Sequence, residues 1–450
     1  MKQSHTTQHS IFDFYPEHEL GKELKFISDW LDKNLDLIDW VQRDLTNICK
    51  NNAGRNSLTA ESVLRCAILK QTKNLTYEYL EFSLMDSLSC QTFCRFDLSK
   101  PLPKKSALQS NIARISDVTW EVISQQILKD AKIRKIEKGD VIRIDSTVTD
   151  TNIHEPTDSG LLWDSVRTMV RLMDKADTLT QSTIPWVNHR RGAKKKMHEI
   201  FNTKGIEKKV PLYEILLKYT HNSLKYIKTA EQILKENCTD IAAYDSWLTQ
   251  KNHFIPLILK VVDQTQRRVF NEENVPASEK IFSLFEEHTD IIIKGGRDIK
   301  YGHKLNLSSG KSSLILDMVI ETGNPADTER FLPMLERHKD NYGEAPRQCS
   351  VDGGYASIDN LEQAKLFGVK DAVFSKKKGL FIEDMAKSQW VHRQLKHFRA
   401  GVESNISCLK RAYGLTRCTW KGWAHFKQYI WSSVVAYNLT LFARLSLKQA

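Results

Sequence analysis

The chain has no run of 18 apolar residues, so a membrane-spanning helix is not expected. Its first residues, MKQSHTTQHS, are polar and lack the apolar stretch of a secretory signal. The nucleotide-binding pattern Gly-x-x-x-x-Gly-Lys-Ser/Thr is also absent, which argues against ATP as a cofactor. Cysteine is sparse, and eight residues scattered over 450 positions are typical of reduced thiols in a cytosol. Cys90 and Cys94 are spaced like a metal pair, but no second Cys or His pair lies nearby, so ordinary thiols are favoured over zinc.

Positive charge is the main compositional feature. The chain has 66 Lys plus Arg against 55 Asp plus Glu, which gives a net charge of +11 and a pI of about 9.1. This balance favours polyanionic partners, and nucleic acid in particular. With 41% hydrophobic and 27% charged residues, the composition is that of a folded protein, and the length predicts two or three domains.

Residues 1–139 carry a helical pattern. Apolar residues recur at three- and four-residue spacing in LTAESVLRCAILKQTKNLTYEYLEFSL, after a capping pattern formed by Thr59 and Ser62. A Lys-Pro-x-Pro-Lys-Lys break precedes two further predicted helices, at about 106–115 and 118–132. We therefore predict an N-terminal all-helical domain, which either binds DNA or supports the next domain and a dimer contact.

The periodicity changes at residue 140, where DVIRIDSTV predicts a β-strand. Helical patterning then fills residues 154–290, and strand signals alternate with helices from residue 291 onward. Because unstructured loops of that length are rare, we predict one α/β core, made of residues 140–153 and 291–450, which contains a mainly helical insertion.

Two aspartates stand out in the predicted strands. Asp145 lies within VIRIDSTV, where alternation places it on one face with Arg143 and Thr147. Asp352 follows an apolar strand in RQCSVDGGYA, and two glycines after it allow a tight turn and close approach of other groups. Either aspartate alone has a structural explanation. Together, at neighbouring strands of one sheet, they would form an all-oxygen site suited to Mg²⁺ or Mn²⁺.

Glu403 supplies a third carboxylate, on a helix that we expect to end at Gly414. Lys396, Arg399 and Lys410 fall within about 40° of it on that helix. The alternative explanation is a surface ion pair between Arg399 and Glu403. However, a glycine at position 401 costs a helix about 1 kcal/mol relative to alanine, which indicates close packing of this turn against a neighbour, such as the sheet edge with the two aspartates.

The order DSTVTDT, YGHK, VDGGY and then Arg-x₃-Glu-x₆-Lys resembles the DDE transposases of bacterial insertion sequences. The run EPTDSGLLWDSVR is similar to the ISNCY group, and the N-terminal block from SLTAESVLRC to KPLPKKSALQS is similar to the helical domain that precedes the core in these enzymes. The last motif resembles the signature Tyr-x₂-Arg-x₃-Glu-x₆-Lys at Arg399, Glu403 and Lys410, with Lys396 in the tyrosine position.

This resemblance implies a ribonuclease-H-like mixed-sheet core, in which Asp145, Asp352 and Glu403 are the catalytic residues and hold two Mg²⁺ or Mn²⁺ ions. Two metal ions support in-line displacement at phosphorus, first by water and then by the freed 3′-OH of the transposon end. The resemblance also implies an enzyme that cleaves and joins the terminal inverted repeats of an insertion sequence, without a covalent intermediate between protein and DNA.

DNA contacts are expected from basic residues in three places. On the motif helix these are Lys396, Arg399 and Lys410, and elsewhere in the core they are Lys304 of KYGHK and Lys376 and Lys377 after the strand DAVFS. The densest basic tract lies in the insertion, and we hypothesise that it follows the DNA backbone through Arg190, Arg191, Lys194 and Lys195. For Lys376 and Lys377 and for the tract in the insertion the competing explanation is an ordinary solvated surface, and His303 is expected to be structural.

The predicted function is therefore DNA transposition, by a homodimer or higher oligomer on DNA in the cytoplasm of a bacterium, near its nucleoid. Two alternatives remain open. One is a structure-specific nuclease without strand transfer, and the other is a non-catalytic DNA-binding regulator that depends on the N-terminal helices.

Overall fold

The fold is taken from a computed structural model, which describes residues 15–46, 58–97, 99–238, 240–294, 298–375 and 379–449. The chain forms two compact units. The first contains Met1–Asp150 and His303–Ala450, and the second contains Thr151–Gly302.

The N-terminal region of the first unit is helical, as predicted. Its helices are α1 (Glu19–Lys33), α2 (Asp36–Thr46), α3 (Ala60–Thr72), α4 (Tyr77–Asp86), α5 (Leu88–Phe93), α6 (Lys105–Ile112) and α7 (Asp117–Ile133). The expected cap at the start of α3 is present, because the Thr59 side chain accepts a hydrogen bond from the backbone N–H of Ser62. Cys90 and Cys94 are both buried within this helical region.

Strand β1 (Val141–Asp150) leads into the second unit, where four helices pack around a core of their own. They are α8 (Asp158–Asp177), α9 (Arg190–Asn202), α10 (Ile206–Asn237) and α11 (Ile241–Thr265). Helix α8 packs against the other three. Trp247 is fully buried and donates from its indole nitrogen to the carbonyl of Leu172 at 2.9 Å. This bond satisfies the one polar atom of its side chain.

The remaining elements build the sheet and its covering helices. They are β2 (Asp290–Lys294), β3 (Asp298–Ser309), β4 (Ile315–Ile320), α12 (Asp327–Tyr342), β5 (Gln348–Val351), α13 (Ile358–Leu366), β6 (Asp371–Phe374), α14 (Ile382–Met385), α15 (Gln389–Ala412) and α16 (Trp423–Gln449). Strand β2 pairs antiparallel with residues 298–302 of β3, inside the second unit.

The sheet of the first unit is mixed, in the order β4, β3, β1, β5, β6. Strands β1, β5 and β6 are parallel to one another, whereas β3 and β4 pair antiparallel with each other. In the register of β1 and β5, Ile144 lies opposite Val351. The predicted fold class is confirmed: a mixed α/β core, in agreement with a ribonuclease-H-like arrangement, follows a helical N-terminal region and is interrupted by a mainly helical insertion.

Helix α16 joins the N-terminal helices to the sheet. It is buried over most of its length and packs against α1, α3 and α7, and its aromatic residues Phe426, Tyr429, Trp431 and Tyr437 belong to the core. Its Asn438 side chain also pairs with both backbone groups of Ile315, at 2.9 and 2.8 Å, on strand β4. The expected boundary near residue 139 is therefore not a boundary between compact units, and the second unit spans 151–302 where the sequence predicts an insertion at 154–290.

Of the helices in the described ranges, including the 27-residue α16, none is apolar enough over a sufficient length to cross a membrane.

Candidate active site

The parallel pairing of β1 and β5 places Asp145 beside Asp352. Because Ile144 lies opposite Val351, the residues that follow them are at the same level of the sheet, on strands about 4.8 Å apart. Asp145 lies in the middle of β1, with its side chain 16% exposed. Asp352 lies just past the end of β5, with its side chain 41% exposed. The adjacency predicted for these two aspartates is therefore present.

The second glycine of the turn after Asp352 leaves room for a neighbouring side chain. The Asp352 carboxylate accepts a hydrogen bond from the backbone N–H of Gly354 at 3.4 Å and begins a 3₁₀ turn over Gly353–Tyr355. A Cβ at position 354 would lie 2.8 Å from Oδ2 of Asp327. Asp327 in turn forms an ion pair with Lys304 at 2.6 Å. The glycine thus allows an ion pair to pack directly behind the turn that carries Asp352.

Tyr355 anchors the same turn from inside the protein. It is fully buried and donates from its hydroxyl to Oδ1 of Asn306 at 2.7 Å, while the Asn306 amide donates to Glu321 at 2.7 Å. Burial raises the pKa of Tyr355 above its ordinary value, and the negative charges of Asp327 and Asp145 add to this shift. The hydroxyl therefore stays protonated and remains a hydrogen-bond donor. This network is not expected from the sequence, where its one signal is a tyrosine directly after the glycine pair.

Helix α15 presents Glu403 to the two aspartates. It begins at the Ser388 cap, whose side chain accepts from the backbone N–H of Val391, and it ends before Gly414, which has the left-handed φ of +75° expected for that position. Its buried residues include Leu395 and Val402, so Glu403 is directed outward with its side chain 62% exposed.

All three carboxylates meet at one guanidinium nitrogen. Nη2 of Arg399 lies 3.1 Å from Oε1 of Glu403, 3.2 Å from Oδ1 of Asp352 and 3.7 Å from Oδ2 of Asp145. The i, i+4 pair between Arg399 and Glu403 is therefore present, as the alternative explanation required. This ion pair is part of a cluster in which the Arg399 guanidinium lies near three carboxylates from three different elements.

The cluster has the chemistry of a divalent cation site. Its donors are hard carboxylate oxygens, and Arg399 already places positive charge where they converge. A magnesium ion needs oxygens at about 2.0–2.1 Å, so it would draw the carboxylates inward and require the guanidinium to leave. No group of three or more His, Cys, Asp or Glu in the described ranges is already spaced to hold an ion. Asp352 and Glu403 are exposed enough to rotate, so these residues fit a divalent ion once Arg399 moves aside.

The expected DNA contacts of the core differ in their surroundings. Lys396 is exposed on α15, and Lys410 lies in its last turn. Lys376 and Lys377 lie outside the described residues. Lys304 is only 5% exposed, and besides its ion pair with Asp327 it donates to the carbonyl of Pro325 at 2.7 Å. This arrangement favours a structural role for Lys304 over contact with DNA.

His303, the neighbour of Lys304, is structural as expected. It is 1% exposed, and its ring lies 4.5 Å from that of Trp423 and 4.9 Å from that of Phe426.

The basic tract of the second unit lies on helix α9. There, Arg190, Arg191 and Lys194 line a surface groove together with Trp163, Arg167 and Asn188, and Lys195 is exposed on the same helix. The sequence analysis did not predict Arg167, which stacks on Trp163 with its guanidinium carbon 4.6 Å from the ring centroid. The groove therefore combines four cations with one aromatic side chain.

Comparison with known families gives two matches along the chain. A family model described as Transposase domain (DUF772) matches residues 18–114, and one described as Transposase DDE domain matches residues 261–439. The second match contains Asp352, Arg399 and Glu403, whereas Asp145 lies between the two matches and joins the cluster through the pairing of β1 with β5. The searches of curated proteins and of solved structures find no match.

DDE transposases act on DNA and generally use divalent metal ions. The chain matches a transposase domain and then a transposase DDE domain, and its core is a mixed sheet with a helical insertion. It therefore belongs to the family of DDE transposases of insertion sequences.

Proposed function

We propose that the protein cleaves the terminal inverted repeats of its own insertion sequence and joins them to target DNA. The observation that carries this proposal is the convergence of Asp145, Asp352 and Glu403 on one nitrogen of Arg399. Three carboxylates so close together repel one another unless a cation lies between them. Arg399 is that cation in the structure, and in the proposed reaction divalent metal ions take its place.

In this proposal the three carboxylates would hold two Mg²⁺ or Mn²⁺ ions, and the chemistry that these ions would supply is activation of the attacking oxygen and stabilisation of the leaving oxygen at phosphorus. Asp145 is held most firmly, because it lies within a paired strand and is the least exposed of the three. Asp352 is fixed by the turn in front of Tyr355, and Glu403 is directed by the packing of α15. The attacking group is water in the cleavage step and the 3′-OH of the transposon end in the joining step, so no serine or tyrosine nucleophile is required.

Phosphate contacts near the carboxylates are assigned to Lys396, Arg399 and Lys410 of α15. Arg399 has a second feature suited to this role, because its Nε is buried and has no hydrogen-bond partner among the residues that the structure describes. A reoriented Arg399 can offer that donor and the released Nη2 to a phosphate oxygen. Similarity to the ISNCY group, action as a homodimer or higher oligomer and association with the nucleoid belong to the same proposal.

The test uses DNA from both sides of the reading frame, where matched inverted repeats identify the substrate. Labelled duplexes that end in those repeats are incubated with the protein and Mg²⁺ or Mn²⁺, and a second assay offers precleaved ends with a free 3′-OH and a target plasmid. We expect cleavage at the repeat end and covalent joining to the target. Cleavage without joining would identify a nuclease, and binding without either reaction would identify a regulator.

Replacing Arg190, Arg191, Lys194 and Lys195 of α9 by Gln is expected to weaken DNA binding. Each phosphate contact contributes about 0.9 to the slope of log affinity against log salt, so loss of four contacts lowers the magnitude of that slope by up to about 3.6. Lys196 is left unchanged because it is ion-paired with Glu199 at 2.6 Å. The measurement is DNA affinity at several salt concentrations.

The matched control neutralises four exposed lysines on α10, namely Lys218, Lys225, Lys228 and Lys235. It removes the same charge from the same unit, so it separates a local contact from a general effect of net charge. Equal losses of affinity and slope in both variants would assign the effect to net charge and would remove α9 from the DNA-binding surface.

A further inference from the structure

Arg143 is a buried cation that no part of the proposed reaction uses. It lies on β1, two residues before Asp145, and is only 4% exposed. Its four hydrogen bonds go to neutral acceptors on other elements, and burial lowers its pKa from the ordinary value for arginine. A guanidinium placed in such surroundings costs free energy unless its donors are well hydrogen-bonded, so its contacts are the place to look for its role.

The hydrogen bonds of Arg143 connect β1 to two other parts of the first unit. Nε and Nη2 donate to the hydroxyls of Ser309 and Ser313, at 2.8 and 2.9 Å, at the connection between β3 and β4. Nη1 donates to the backbone carbonyl of Phe398 on α15 at 2.9 Å, and the guanidinium carbon lies 4.7 Å from the centroid of the Phe398 ring. The residue therefore holds β1, the β3–β4 connection and α15 together.

Gly401 provides the space for this guanidinium. An ideal Cβ at position 401 would lie 1.9 Å from Nη1 and 2.7 Å from Cζ of Arg143. The far end of an arginine usually moves away from such a contact at little cost, but here it is buried and hydrogen-bonded on several sides. The glycine lies between Arg399 and Glu403, two residues from each. Any side chain at position 401 would therefore push this turn of α15 away from β1.

We infer that Arg143 is a positioning residue, which fits into the gap at Gly401 and sets the distance between Glu403 on α15 and Asp145 on β1. Asn405, two residues after Glu403, supports the same contact, since its Oδ1 lies 3.5 Å from Nη2 of Arg143 and its amide donates to the carbonyl of Ser313 at 3.1 Å. The inference rests on the proposed function in one respect, namely that the three carboxylates act together on metal and DNA.

The experiment is a double-mutant cycle between Gly401→Ala and Arg143→Gln. A glutamine at position 143 places its amide near the position of Nε, within reach of Ser309, but lacks the Cζ and Nη atoms that a Cβ at position 401 would meet. The readouts are thermal unfolding of the metal-free protein, Mn²⁺ affinity without DNA, and the rate of cleavage at the transposon end. Ala400→Ser is the matched control, because it adds one heavy atom at an exposed position next to Gly401.

In the otherwise unchanged protein, Gly401→Ala is expected to weaken Mn²⁺ binding about tenfold and to slow cleavage by about 100-fold, the loss associated with a displacement of about 1 Å. DNA affinity should change by less than a factor of about two, since the variant removes no phosphate contact. In the Arg143→Gln background the same Gly401→Ala change should alter Mn²⁺ affinity and cleavage by less than about threefold, because the clash is gone.

Gly401→Ala effects that are equally large in both backgrounds, or negligible in both, would overturn the inference. If Gly401→Ala alone does not fold, the double variant must restore folding, and failure to do so also overturns it. Failure of this inference can be distinguished from failure of the proposed function, because thermal unfolding and Mn²⁺ binding are measured without transposon DNA. If the two substitutions are coupled in their effect on thermal unfolding but not in their effect on Mn²⁺ affinity, Arg143 contributes only to packing. That result would refute its positioning role.

Discussion

The variants Asp145→Asn, Asp352→Asn and Glu403→Gln are each expected to abolish metal-dependent cleavage of the transposon end. Each change keeps the size of the side chain and replaces a hard anionic donor by a neutral amide, which is a poor ligand for Mg²⁺ or Mn²⁺. Changes one step farther from a metal already cost about 10–100-fold in affinity or activity, so loss of a direct ligand should exceed 100-fold. The measurement is the single-turnover rate of cleavage on labelled repeat ends.

DNA binding should survive these three changes, because they remove negative charge from a surface that faces a polyanion. The matched controls are Asp359→Asn and Glu362→Gln on α13, which change the same chemical groups at exposed positions of the first unit. Both controls should cleave at the rate of the unchanged protein. A site variant that retains cleavage would be removed from the catalytic set, and retention by all three would refute catalysis by these carboxylates.

The pairing of the two aspartates was predictable from sequence only in outline. Both follow strongly β-type segments, and resemblance to a known order of motifs linked them across about 200 residues of chain. Their common level depends on the register of β1 and β5, with Ile144 opposite Val351. Register between distant strands is set by the whole core, so no local pattern in either segment contains it.

Gly401 shows a different limit of sequence analysis. A glycine in the interior of a helix correctly indicated a close neighbour, but the neighbour is Arg143 and not the sheet edge with the aspartates that we expected. The helical pattern identifies which face of α15 is buried, whereas the identity of the contacting side chain depends on how β1 and α15 cross. Arg143 was noted only as a residue on the same face as Asp145.

Lys304 was assigned to DNA because its motif resembles a feature of the family. In the structure it lies in the part of β3 that is buried on both faces, where Asp327 neutralises it. A strand covered on both faces loses the alternation that distinguishes inward from outward residues, so its sequence does not reveal which lysine is buried. Helix α16 is a related case, since it lies about 290 residues or more after the helices against which it packs, and no local pattern reveals such a contact.

Arg399→Ala is expected to change metal binding and catalysis in opposite directions. Nη2 of Arg399 lies within 3.7 Å of an oxygen of each of the three carboxylates, so a metal ion bound by all three would compete with it for the same place. A partly exposed ion pair contributes about 0.2–1 kcal/mol, so three such pairs oppose metal entry by about 0.6–3 kcal/mol, with a central value near 1.5 kcal/mol. Their removal should tighten Mn²⁺ binding in the absence of DNA roughly tenfold, since 1.4 kcal/mol corresponds to a factor of ten.

Cleavage should fall in the same variant, even at saturating Mn²⁺, because the displaced guanidinium is proposed to bind a phosphate of the transposon end. Loss of one such contact lowers the salt slope of DNA binding by about 1. Mn²⁺ affinity is measured from the signal of free Mn²⁺ in electron paramagnetic resonance, and DNA affinity is measured at several salt concentrations. The control is Arg393→Ala, which removes an exposed arginine from the same helix and should leave Mn²⁺ affinity unchanged.

The opposite signs distinguish a competing cation from a supporting one. If Arg399 only stabilised the arrangement of the carboxylates, its removal would let them move apart and Mn²⁺ binding would weaken. If it competes with the metal ion, Mn²⁺ binding tightens while cleavage falls. Arg399→Lys should lie between, because it keeps the charge but lacks the buried Nε and the rigid guanidinium plane that position Nη2. Unchanged Mn²⁺ affinity in Arg399→Ala would contradict the competition and would leave the guanidinium as a DNA contact alone.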